Sequence, residues 1–239
     1  MATVAYPRII AHRCGGAGAP ENSLAGLALA ARLGCRGVEF DTMLSADDVP
    51  VLMHDDTVDR TTNGHGPVAA LTATELRRLD LGGEPVPLLA EALECGARLG
   101  LWANVEIKAS ANATAGDGER LGRIVGKFLA EHWNGHGVVS SFSFAALMAA
   151  RAQAPHLAYA LLASTLPADW LAKAREIGAV AVHLNAKRIT AEGVVAVRTT
   201  GLAIACYTVN ERARADELFA SGVDAVFTDR PELWAPAEM

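Results

Sequence analysis

The feature that most restricts this chain is a rhythm of short apolar runs alternating with helix-length stretches, punctuated by cap and breaker residues. Strands are expected at Arg8–Ala11, Gly37–Asp41, Leu101–Ile107, Val138–Ser141, Tyr159–Leu162, Val180–Leu184, Leu202–Thr208 and Ala225–Thr228. The first helix starts at Pro20-Glu21-Asn22-Ser23, runs to about Arg32 and stops at Gly34; the second spans about Pro87 to Arg98. Later helices are expected over Asp117–Trp133, interrupted by Gly122 and Gly126, and from a Ser143 cap to about Ala152. Three more run from Pro167 to before Gly178, from a Thr190 cap to about Arg198, and from an Asn210 cap to before Gly222, and Pro231 opens a terminal one. Proline near helix starts and glycine past their ends support these boundaries. Alternation of this kind means a parallel sheet covered by helices. Eight units in 239 residues suit one closed α/β (β/α)8 TIM barrel, a single domain over 1–239.

One segment breaks the rhythm. Val38-Glu39-Phe40-Asp41 alternates apolar and acidic residues, so Glu39 and Asp41 share one face of a strand. Ser45-Ala46-Asp47-Asp48 then makes a turn, and the apolar run Val49–Met53 ends at His54. The gap from Asp41 to His54 is too short for a helical crossover, so the two runs form an antiparallel hairpin. The hairpin returns His54 to about the height of the two carboxylates. Residues from about 56 to 85 are loop-rich, with a short helix near Thr72–Leu79 whose Thr72 and Glu75 have capping-box spacing. They read as a small insertion after the second strand.

Composition removes several alternatives. Hydrophobic residues make up 51% of the chain, yet no apolar run approaches membrane-spanning length. The N-terminal residues Met1–Arg8 lack the basic and apolar regions of a signal peptide, which suggests a cytoplasmic protein without stable membrane association. Cys14, Cys35, Cys95 and Cys206 show no C-x-x-C spacing, against a zinc ribbon or a disulfide framework. A net charge of −6 without any block of Lys or Arg disfavours nucleic acid as a partner.

Active sites of such barrels lie at the C-terminal ends of the strands. His12 and Arg13 follow the first strand, Glu39 and Asp41 end the second, and Asn104, Glu106 and Lys108 share a face of the third. A lone acid at a strand end is usually a solvated terminus, and a lone histidine is as often structural as catalytic. Two histidines, three acids, Lys108 and Arg13 on one rim are not explained that way. Inward acids are costly unless paired or bound to metal, and a divalent cation held by oxygens, Mg²⁺ or Ca²⁺, relieves the excess charge. His183 ends the sixth strand facing the same rim. His65 reads as a loop residue, and His132, His136 and His156 as structural.

The ordered set His12-Arg13, Pro20-Glu21-Asn22-Ser23, Glu39-Phe40-Asp41, His54-Asp55, Arg60-Thr61-Thr62-Asn63-Gly64, Asn104-Val105-Glu106-Ile107-Lys108, Ser140-Ser141-Phe142, Tyr207-Thr208-Val209-Asn210 and Thr228-Asp229-Arg230-Pro231 resembles the glycerophosphodiester phosphodiesterases, especially the small cytoplasmic bacterial type. The resemblance covers essentially the whole chain. It implies a (β/α)8 barrel with an insertion after strand two, and a divalent metal on Glu39, Asp41 and Glu106. It also implies His12 and His54 as the acid/base pair, with Arg13, Lys108 and Tyr207 binding a small glycerophosphodiester substrate. The expected reaction is hydrolysis to glycerol 3-phosphate and an alcohol. A related lipid phosphodiesterase and a non-catalytic phosphodiester-binding barrel are the alternatives. The head group, the ion and the oligomeric state stay open at this point. Cys14 replaces the family's usual Gly, Ser23 a Thr and Tyr207 a Trp; Cys14 fits easily only if its φ is not positive.

Overall fold

The computed structural model describes residues 5–110 and 113–235; the part of the N-terminal reading that rests on residues 1–4 lies outside them. Eight parallel strands close into a barrel: β1 (Ile9–Ala11), β2 (Gly37–Leu44), β4 (Trp102–Ile107), β5 (Gly137–Ser141), β6 (Tyr159–Ala163), β7 (Ala181–Asn185), β8 (Ala203–Tyr207) and β9 (Ala225–Thr228). Their order is β1-β9-β8-β7-β6-β5-β4-β2, and β1 pairs with β2 to complete the circle. The remaining strand, β3 (Pro50–Leu52), lies antiparallel to β2, with Thr42 opposite Leu52 and Met53 N–H donating to the Asp41 carbonyl at 3.2 Å. The hairpin thus returns His54 beside the acids.

Strand alternation sorts the side chains. Val38, Phe40, Val105, Ile107, Val139, Val182 and Val226 face outward into the main core, where they meet Leu27, Leu93, Leu129, Leu147, Val197 and Leu218 of the helices. The lower barrel interior is filled by Ile10, Trp102, Val138, Ala160, Ala181, Ala205, Ala225 and Phe227, with Tyr6 packed against them. The insertion has its own small core of Met43, Val51, Met53, Val58, Val68, Leu76, Leu81 and Val86.

The helices are α1 (Leu24–Arg32), α2 (Ala73–Leu76), α3 (Leu89–Arg98), α4 (Ala115–His132), α5 (Phe144–Gln153), α6 (Trp170–Glu176), α7 (Ala191–Arg198) and α8 (Arg212–Ala220). Ser23, Thr72, Ser143 and Thr190 cap helices as expected, and Thr72 with Glu75 forms the capping box. Four expectations are corrected. Helix α4 is continuous, because Gly122 and Gly126 are contact points rather than breaks. A Cβ at Gly122 would lie 2.1 Å from the Ala146 carbonyl oxygen and one at Gly126 2.6 Å from Ala150 Cα, so these glycines let α4 and α5 pack backbone to backbone. Pro167 lies in a turn ahead of α6, which begins at Trp170. The C-terminal element is a short 3₁₀ turn, Pro231–Trp234. Asn210 does not cap α8; the residue before that helix is Glu211, which makes no side-chain cap, and Asn210 is used elsewhere.

Candidate active site

The C-terminal mouth holds a cavity of about 220 Å³ whose wall includes His12, Arg13, Glu39, Asp41, His54, Glu106, Lys108 and Tyr207. The structure therefore brings together all eight residues singled out from sequence. Three carboxylates converge at its centre: one oxygen each from Glu39, Asp41 and Glu106 lie within 4.8 Å of one another, and all three residues are buried. Register explains this, since Asp41 of β2 stands opposite Glu106 of β4, and Glu39 opposite Asn104.

Each acid is held differently. Asn22 clamps Asp41, its Nδ2 donating to Oδ2 and its Oδ1 accepting the Asp41 N–H, both at 3.0 Å. Glu39 Oε2 accepts the Arg13 N–H at 2.8 Å while Oε1, fully buried, has no hydrogen-bond partner. Lys108 Nζ is 3.3 Å from Glu106 Oε1, without hydrogen-bond geometry, and 3.5 Å from Asp41 Oδ1. Burial, reinforced by the charges of Asp41 and Glu106, raises the Glu39 carboxyl well above its usual range. Burial and then Asp41 push Glu106 up to about 7. The same acids outweigh burial at Lys108 and raise its ammonium. Lys108 and Arg13, the latter paired outward with Glu21, do not match three buried acids, which leaves a negative pocket. The orphaned Glu39 oxygen and the all-oxygen donor set fit a divalent metal.

Both histidines are oriented by carboxylates. His12 Nδ1–H donates to Asp229 Oδ1 at 2.6 Å, and its Nε2 faces Glu39 Oε2 at 3.8 Å. His54 Nδ1–H donates to Asp55 Oδ1 at 2.7 Å, and its Nε2 accepts from Lys108 Nζ at 3.0 Å. In each ring the Nδ1 bond directs Nε2 into the cavity. Hydrogen bonds from Arg60, and then from His54, hold Asp55 below the usual carboxylate range; the bond from His12 does the same for Asp229. The other carboxylate contacts extend outward. Arg13 Nη1 donates to Glu21 at 2.5 Å, and Arg60 joins Glu21 to Asp55. Asn210 ties down Asp229, donating from Nδ2 to its Oδ2 at 2.9 Å and accepting its N–H at 2.8 Å.

Two residues depart from expectation and a third, His183, does not, since it lines the same cavity. His183 is fully buried in the barrel, Nε2 bonded to the Tyr6 hydroxyl at 2.9 Å, and burial lowers its pKa to about 3. Tyr207 presents its ring to the cavity, but its hydroxyl donates to the Ala163 carbonyl at 3.0 Å. Cys14 has a φ of +74°, a region that disfavours side chains, and buries its thiol completely. The sequence reading gave no site role to Asp229, Asn210, Asn22 or Glu21, and took Asn210 for a helix cap. Their signal lay in strand neighbourhood: β8 and β9 are adjacent, which brings Asn210 beside Asp229.

A TIM barrel whose mouth gathers three acids, two carboxylate-backed histidines and a lysine has the layout of a phosphoric diester hydrolase. The chain belongs to the glycerophosphoryl diester phosphodiesterase family, whose profile matches residues 12–233 and so brackets the entire site. A glycerophosphodiester phosphodiesterase of Caldanaerobacter subterraneus is 32% identical over 232 residues, covering 94% of each chain. One from Bacillus altitudinis is 30% identical, covering 94% of this chain and 95% of its own. Among solved structures, a phosphodiesterase of Oleispira antarctica in complex with the product sn-glycerol-3-phosphate superposes with a TM-score of 0.88. It has 33% identity and covers 95% of this chain and 94% of that one. No described helix is long and apolar enough to cross a membrane.

Proposed function

We propose that this protein hydrolyses glycerophosphodiesters to sn-glycerol 3-phosphate and an alcohol, with a divalent ion, Mg²⁺ or Ca²⁺, held by Glu39, Asp41 and Glu106. The observation that carries the reading is the convergence of those three buried carboxylates with two oriented histidines on one cavity. The ion would neutralise the phosphate and stabilise transition-state charge. Lys108 and Arg13 line the same cavity, which supports their contacting phosphoryl oxygens, Arg13 as a fork. One of His12 and His54 takes the proton of the attacking hydroxyl, that of a water or of the neighbouring glycerol carbon, and the other protonates the leaving alkoxide, each through Nε2; in the second case a water then opens the cyclic phosphate to glycerol 3-phosphate. Asp229 and Asp55 keep a proton on Nδ1 of each ring, so that Nε2 is the nitrogen that takes the proton in the base and, in the doubly protonated acid, gives it. A groove lined by Asp55, Asp56 and Ser143 shares His54, Lys108 and Phe142 with the cavity, and on this reading it would receive the leaving alcohol.

The test begins with metal-stripped protein and glycerophosphocholine. Adding Mg²⁺ or Ca²⁺ should restore release of glycerol 3-phosphate, and His54→Ala or His12→Ala should lower turnover by about 10²–10⁴-fold with the fold intact. Wild-type turnover in either variant would refute the histidine pairing. Full activity in chelator would refute the metal.

A further inference from the structure

The inner end of the cavity contains polar atoms that the chemistry described so far does not use. His183 of β7 and Asn104 of β4 both form part of the cavity wall, together with Leu162 and Phe227. His183 Nδ1 and Asn104 Oδ1 are buried and have no hydrogen-bond partner. Buried polar atoms are almost always satisfied, so two orphans on one cavity wall call for a ligand.

The donor and acceptor senses of this pair can be worked out. Burial keeps the His183 imidazole neutral, so the ring carries one N–H. Burial also keeps the proton on the Tyr6 phenol. That hydroxyl lies 2.9 Å from His183 Nε2 and must donate to it, since the reverse arrangement would strand the phenol proton as well as a bare Nδ1. The remaining proton is then on Nδ1. The floor thus offers one donor, Nδ1–H, and one acceptor, Asn104 Oδ1. A hydroxyl group satisfies both at once, accepting from the histidine and donating to the amide.

Its depth in the barrel suggests which hydroxyl. Asn104, Glu106 and Lys108 are successive same-face residues on one strand, about 6–7 Å apart along it. A phosphoryl group at the level of Lys108 and Glu106 places the far end of a three-carbon chain near Asn104. We infer that His183, fixed by Tyr6, is a specificity-determining residue that binds the terminal hydroxyl of the glycerol moiety together with Asn104. The inference rests on the glycerophosphodiester reading above. Leu162 and Phe227 exclude water from the pair and so sharpen the discrimination.

The experiment compares glycerophosphocholine with the same diester built on propane-1,2-diol, which lacks only the terminal hydroxyl. Each is assayed with wild type, His183→Phe and Tyr6→Phe. Wild type should favour the glyceryl diester by about a hundredfold in kcat/KM. His183→Phe should erase at least about tenfold of that preference while leaving kcat/KM for the propanediol diester within about twofold. Tyr6→Phe keeps the imidazole but frees its tautomer, and should erase a smaller part. Binding of sn-glycerol 3-phosphate against propane-1,2-diol 1-phosphate gives the same ratio without turnover. Parallel losses on both substrates, or an unchanged ratio in both variants, would overturn the inference and make the floor a structural water site. If His183→Phe fails to fold, the Tyr6→Phe ratio decides alone. If wild type cleaves neither diester, the functional reading fails first and takes this inference with it.

Discussion

Along the arc from β1 through the β2–β3 hairpin to β4, the cavity wall is made of His12, Arg13, Glu39, Asp41, His54, Asn104, Glu106 and Lys108. Along the arc from β6 to β9 it is made of Leu162, His183, Tyr207, Thr208 and Phe227. The first arc stores charge that burial opposes. The second supplies the dry, shaped wall against which that charge acts, since electrostatic interactions strengthen where water is excluded. The separation follows from chain order: the hairpin and the β2–β4 register concentrate the acids, and the later βα units deliver alanine, leucine and aromatics inward.

Neutralising one buried acid should separate the two arcs most strongly. Glu106→Gln should lower activity by more than about a hundredfold, read in the glycerol 3-phosphate assay. It should also stabilise the metal-free protein at alkaline pH. Glu39 and Glu106 have folded pKa values raised above their unfolded value of 4.5, Glu106 to about 7. Their protonated forms therefore favour the fold. That stability is fully present below pH 4.5 and is lost as pH rises through about 7. Metal-free protein should melt at progressively lower temperature from pH 5 to pH 8, and a divalent ion should restore most at the alkaline end. The opposite arc should respond in the opposite sense. The folded pKa of His183 is depressed to about 3, so its contribution is present above pH 6.5 and is lost as pH falls towards 3. Thermal melts across pH should show Glu106→Gln flattening the alkaline limb and His183→Phe the acid limb. If each variant altered both limbs, the two arcs would not be electrostatically separate.

Much of the charged arc was legible because it depends on short-range rules. Strand parity placed Glu39 with Asp41 and Asn104 with Glu106, and the hairpin count returned His54 to them. What was not legible depends on partners far apart in sequence. Asn210 has the residue type and position of a helix cap, yet its side chain binds Asp229, nineteen positions away, in place of a local cap. Gly122 and Gly126 look like helix breakers until α5 is known to cross them. His183 was put on the correct strand facing the cavity, but its bond to Tyr6 was not legible, because Tyr6 precedes the first strand.

Asp229 links the two arcs through a side chain, since it comes from the end of β9 to orient His12 on the other arc. Asp229→Asn presents an amide where Asn210 Nδ2 now donates, and it weakens the hold on the Nδ1–H tautomer. It should lower kcat by about 10–100-fold with little change in KM and an unchanged melting temperature. Asp55→Asn should cost less if Arg60 keeps the loop in place, because Asp55 is also fixed from that side. Equal kcat values for wild type and Asp229→Asn would show that His12 needs no orientation from β9.

The smallest expected effect concerns Cys14, at the back of the charged arc, whose N–H donates to the Glu39 carbonyl at 2.6 Å. Its φ of +74° costs a non-glycine residue about 1–2 kcal/mol, which Cys14→Gly would recover. Against that, the change removes a fully buried side chain, costing on the order of 1–2 kcal/mol, and adds about 0.5–1 kcal/mol of unfolded-state freedom. The terms nearly cancel, so the urea midpoint should shift by no more than about 1 kcal/mol equivalent, with kcat within about twofold. The thiol itself is held well above its ordinary pKa by burial and by the charges of Glu39 and Asp41, so it stays protonated and takes no part in the chemistry. A loss of more than about 3 kcal/mol would mean that the acids depend on this apolar plug behind them, because a cavity there would let the Glu39 backbone relax. A gain of more than about 1 kcal/mol would mean that backbone strain dominates and that glycine suits the loop better. In either case the charged arc would be less self-sufficient than its inward-facing residues suggest.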